Sequence, residues 1–220
     1  MELQPTDALP LPQRLALAHA PADLKPAALA AFALDTRLAK FVAQASEPLV
    51  GQLRLAWWRE QLCKPVGDRA SGDVILDSLS AHWGAASCEL TALVDGWERM
   101  LDEPPLPETA IDEFVSGRAT MFSGLAALAG HGEGAAVARE SGRQWALADL
   151  LAHVSGSERD AIMAASPNIA HGRDTRLPRN LRHLAILGSL GRRAIVRGGG
   201  PLIAGRRDLL HIMRLGMFGR

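Results

Sequence analysis

Acidic side chains at helical spacing are the first candidates for chemistry. Asp73 and Asp77 stand four apart, as do Glu108 and Asp112, and Asp95, Glu98 and Asp102 follow at intervals of three and four. Such spacings stack carboxylates on one helix face. Magnesium takes hard oxygen ligands of this kind beside a substrate phosphate. Each set also has a plain structural use. Asp73 falls just before a helical run and reads as its N-cap, with Asp77 a favourable charge in the first turn. Glu108 and Asp112 read as first-turn acids, and the 95–102 set as a solvated acidic face. The seven histidines form no H-x-x-x-H pair and lie near no cysteine pair, so no transition-metal site is expected. There is no G-x-S-x-G elbow. The glycines at 198–200 lack the Lys-Ser/Thr of a P-loop and read as a connector. Cys63 and Cys88 are not a C-x-x-C pair and read as buried thiols in a reducing compartment.

The elements that position these groups are helices. Alanine and leucine dominate, tyrosine is absent, and no alternating strand pattern occurs. The spacing predicts helices near 10–19, 24–45, 47–63, 73–83, 87–101, 108–129, 134–154, 157–165, 179–196 and 205–216. On the second, Leu34, Leu38, Phe41, Val42 and Ala45 share one face. The break at 102–107 (DEPPLP) is firm, and 167–178 reads as irregular. With 220 residues and 48% apolar composition, one all-α bundle over 1–220 with a shared core is the economical architecture.

Residues 31–62, AFALDTRLAKFVAQASEPLVGQLRLAWWREQL, resemble the opening of the squalene/phytoene synthase family. There a helix of the "a-l-f-a-l-d" type precedes one reading "ep-l-v-r-l-x-W-W". Gln52, Arg54, Leu55, Trp57, Trp58 and Arg59 match that second helix. LVDGWERML (93–101), FVSGRATMFSGLAALAG (114–130), GRQWALADLLAHV (142–154) and 177–193 resemble later family helices in the family's order. The likeness covers roughly 12–215. The family includes a mitochondrial complex I assembly factor as well as enzymes. It implies an isoprenoid-synthase-type helical bundle, here shortened.

The enzymes of that family join isoprenoid diphosphates, and magnesium held by paired D-x-x-x-D motifs neutralises the departing diphosphate. In this chain the first motif falls near Arg37, Leu38 and Phe41, leaving Asp35 as the helix's one acid. The second falls on Ala152, His153 and the serines at 155–157, with Asp149 at the family's asparagine. The resemblance therefore implies a framework kept without its metal site: an assembly factor, a scaffold or a prenyl-lipid-binding protein, with no cofactor. A ligand in the inherited cavity would meet Arg37, Arg54, Trp57, Trp58 and His153. Trp57 and Trp58 point about 100° apart, so one is expected in the core and the other against a cavity or neighbour. Two alternatives stand beside this. One is an active transferase on isoprenoid diphosphates with a non-standard magnesium site, using Asp35 and Asp149 with arginines such as Arg37 replacing some of the metal charge. The other is a helical interaction module with no cavity.

Zero net charge conceals an uneven distribution. Residues 173–220 hold eleven arginines against Asp174 and Asp208, so that segment carries +9. It reads either as a solvated basic face or as a surface for an anionic partner, a diphosphate, a phospholipid membrane or an acidic protein surface, through Arg179, Arg182, Arg192, Arg193, Arg206 and Arg207. Without interleaved aromatics it does not read as a nucleic-acid site. The acidic, proline-broken N-terminus lacks signal-peptide character. The expected location is the cytoplasm, with peripheral contact at the inner membrane surface.

Overall fold

A computed structural model describes residues 9–45, 47–154, 156–165 and 176–219. They form ten α-helices, with no strand among the described residues. In chain order these are α1 (Leu11–Leu17), α2 (Lys25–Ala43), α3 (Pro48–Cys63), α4 (Val74–His82), α5 (Thr91–Glu98), α6 (Glu108–Leu128), α7 (Ala135–His153), α8 (Gly156–Ala165), α9 (Arg182–Val196) and α10 (Arg206–Phe218). Prolines in the first turn of α1, α2 and α3 start those helices where a missing N–H costs nothing. Asp73 caps α4, its Oδ1 accepting from the N–H groups of Ile75 and Leu76 at 2.9 and 3.2 Å.

α6 runs through the middle, packed between α5 and α7, and α7 packs in turn against α9. α2 crosses this row and touches α3, α4, α5 and α6. Leu34 and Leu38 on the predicted stripe are fully buried, in one apolar core that also takes in α4 and α7. Each such leucine contributes roughly 1.5–3 kcal/mol of burial. Two glycines let α6 come close to its neighbours. A Cβ on Gly117 would lie 2.3 Å from the Ala92 carbonyl oxygen, and one on Gly142 would lie 2.8 Å from the Ala119 Cα. Any larger residue would push α6 away from α5 or α7.

Three expectations need correction. The helix expected at 87–101 is shorter and preceded by a 3-10 segment, Gly84–Leu90, and followed by another, Arg99–Leu101. Ser87 Oγ donates to the carbonyls of Gly84 and Leu62 and tightens the first of these. The cysteines are not free buried thiols: Cys63 is exposed and forms a disulfide with Cys88, which pulls this segment onto the end of α3. Such bonds persist in oxidising surroundings, unlike the reducing compartment that two separate cysteines implied. The acids at 95–102 are not simply solvated either. Arg59 bridges Asp95 and Glu98, and Arg99 pairs with Asp102 at 3.1 Å. Of the irregular stretch expected at 167–178, residues through 175 lie outside the described residues, and 176–178 are non-helical.

One core residue makes stability depend on pH. His183 in the first turn of α9 is fully buried, and burial pushes its imidazole down to about 4, against the opposing pull of the Asn180 backbone. The unfolded chain then takes up the proton first. Stability from this group is complete above about 6.5 and falls as pH drops towards 4, by roughly 3 kcal/mol in all. Urea melts across that range should show the slope, and His183→Leu should flatten it.

Candidate functional site

Asp35 and Asp149 come together from facing helices, α2 and α7, and an arginine from α6 joins them. Arg118 grips Asp35 in a fork, Nε to Oδ1 and Nη2 to Oδ2, both at 3.0 Å. Its Nη1 donates to Asp149 Oδ2 at 2.6 Å. Trp97 Nε1 donates to Asp35 Oδ1 at 2.8 Å. The side chains of Asp35 and Arg118 are 2% and 3% exposed, whereas Asp149 keeps 25%. The guanidinium carbon lies 4.3 Å from the ring centre of Trp145, 4.7 Å from Phe114 and 5.2 Å from Trp97. These aromatic faces stabilise a cation that has lost its water.

Burial raises the Asp35 carboxyl above its usual range, against the charge and hydrogen bonds of Arg118 and the Trp97 N–H, and the nearby Asp149 charge adds to the rise. For Arg118, burial works to lower the guanidinium, but Asp35 and Asp149 together outweigh it and hold it charged. With both aspartates ionised the three groups carry one net negative charge.

The bridge forms the polar floor of a cavity of about 360 Å³. Its walls are mostly apolar, from Ala39 and Val42 of α2, Met100, Phe114 and Leu150, with Gln13 and Thr36 adding polar groups. Asp35, Ala39 and Val42 follow at helical spacing, so one face of α2 supplies both floor and wall. His153 stands at the same cavity, exposed, with Nδ1 2.7 Å from the Asp149 carbonyl oxygen, a contact that places a proton on Nδ1.

The other residues expected at the cavity are elsewhere. Arg37 is two positions from Asp35, about 200° around α2, and so faces away from it. It joins Arg54, Trp57 and Trp58 in a separate shallow groove on the outer side of α2 and α3, and pairs with Asp73 at 3.2 Å. Trp58 is buried and Trp57 is 38% exposed, their rings meeting edge to face. The basic C-terminal set also divides. Arg193 pairs with Asp208 at 2.9 Å, and Arg182 donates to the carbonyls of Gly216 and Met217. Arg192 is half-buried on α9, leaving Arg179, Arg206 and Arg207 exposed.

Arg118 is the residue that reading the sequence for acids overlooks. A signal was present: it sits four residues from both Phe114 and Phe122, in the middle of an apolar stripe.

The magnesium that the transferase alternative would need can be tested against this donor set. Both Asp35 oxygens and one Asp149 oxygen already accept from Arg118 or Trp97, and a guanidinium occupies the space between the carboxylates. The residues do not fit a magnesium cluster. Among the described residues, no three His, Cys, Asp or Glu side chains gather elsewhere in a metal-holding group, and no helix is long and apolar enough to cross a membrane.

Fold and site define an all-α protein with a cavity floored by a buried carboxylate–arginine–carboxylate bridge. No protein-family model, no curated protein and no solved structure matches the chain.

Proposed function

We propose that this chain is a non-catalytic relative of the squalene/phytoene synthases that binds a prenyl lipid or a similar apolar chain. The observation that carries the reading is Arg118, which stands between Asp35 and Asp149 where a transferase of that family would need metal. Substrate ionisation requires positive charge free to meet a diphosphate. Here the positive charge is already taken up by two carboxylates. Such a floor disfavours a diphosphate and tolerates a neutral or hydroxylated end group. The walls are mostly apolar, and about 360 Å³ falls within the range of small-molecule sites. The cavity supports ligand binding over a solid interaction module.

Calorimetric titration with farnesol, and with a non-ionising farnesyl diphosphate analogue, each with and without magnesium, tests this. Farnesol should bind without magnesium, and magnesium should add nothing for the analogue. Tight analogue binding that requires magnesium would favour the transferase alternative built on Asp35 and Asp149. Binding of neither would remove the cavity from the function.

A scaffold or assembly role draws support from a different place. Leu49, Leu53 and Trp57 form an outward stripe on α3, 63%, 64% and 38% exposed. A stripe at this spacing is the usual anchor pattern for a partner helix.

A further inference from the structure

α10 carries much of its apolar surface on the outside. Leu210, Met213, Met217 and Phe218 are 64%, 54%, 55% and 64% exposed. At about 100° per residue, Leu210, Met213 and Met217 fall in one outward stripe. Arg206, Arg207 and Arg214 are exposed positions beside it. The one acid on the helix, Asp208, is turned inward and 3% exposed. The helix cannot roll over to bury the stripe, because its inward side is tied down. Asp208 accepts from the Ala204 N–H at 2.9 Å and pairs with Arg193 and Arg197. His211 Nε2 meets Ser189 Oγ at 2.6 Å, and Arg182 holds the last carbonyls.

Beyond Met217 the stripe meets an open pocket of about 800 Å³. Its polar lining is His19, His131, Arg179, Asn180 and Arg182, without an acidic side chain.

We infer that this surface docks the protein on an anionic phospholipid bilayer. An apolar face flanked by arginines, with the helix's one acid turned inward, matches the acyl boundary below anionic headgroups. The basic pocket lies at headgroup level beside the stripe. The inference stands apart from the cavity reading and does not depend on it.

The full chain should sediment with vesicles of phosphatidylcholine and phosphatidylglycerol in equal parts, and not with phosphatidylcholine alone. Leu210→Asp with Met213→Asp should abolish binding while leaving circular dichroism and Tm unchanged. Arg206→Ala with Arg207→Ala should weaken it about 25-fold, at about fivefold per arginine. Indifference to both vesicles, equal binding to both, or variants that bind like the parent would overturn the inference. So would analytical ultracentrifugation showing a dimer that the aspartate variant splits, since the stripe would then belong to a second copy.

Discussion

Arg118→Met lowers the unfolding free energy by about 3–5 kcal/mol, because it leaves Asp35 charged or expensively protonated inside the bundle with only Trp97 for company. Methionine fills much of the same space, so the loss is electrostatic rather than a cavity effect. Adding Asp35→Asn removes the stranded charge and should recover a large part of the deficit, leaving Asp149 near water at 25% exposure. Urea melts of the parent and the two variants measure both steps. A loss below about 1 kcal/mol for Arg118→Met would match an exposed ion pair and contradict the buried bridge.

The second large effect belongs to the Cys63–Cys88 disulfide. Its partners are 25 residues apart, and closing a loop of that size stabilises the fold by about 3.5 kcal/mol on the chain-entropy account. Cys63→Ser with Cys88→Ser, or dithiothreitol on the parent, should produce a loss of that order, and the reductant should have no further effect on the double variant. Thiol titration of freshly purified protein checks the premise: free thiols in the folded chain would show that the bond does not form. The loop spans the outer end of α3, α4 and the 3-10 segment, whereas the cavity lies on the other side of α2. Ligand binding should therefore survive reduction below the melting range.

The helices were legible because their causes are local. The spacing of Leu34 and Leu38, the Asp73 cap and the firm break at 102–107 each act within a turn or two of themselves. The two carboxylates of the bridge were legible too, Asp35 as the one acid of its helix and Asp149 at the position of the family's asparagine. Arg118 was not, because an arginine is ordinarily a surface residue, and only the packing of α6 between α5 and α7 turns its stripe inward. The disulfide was hidden for a similar reason: no spacing rule relates the end of one helix to a 3-10 segment 25 residues on. The arginines of the C-terminal segment looked equivalent in one dimension. The turn between α9 and α10 separates them, setting Arg193 and Arg197 against Asp208 and leaving Arg206 and Arg207 outward.

The anchoring of α10 has one more consequence. A free amphipathic peptide is largely uncoiled in water and must order its backbone as it reaches an interface, at about 1–2 kcal/mol of conformational entropy per residue. In this chain the Asp208 ion pairs fix the start of the helix and Arg182 fixes its end, so that ordering is complete when the protein folds. α10 is thus preorganised, and whatever surface it meets encounters side chains already held in register.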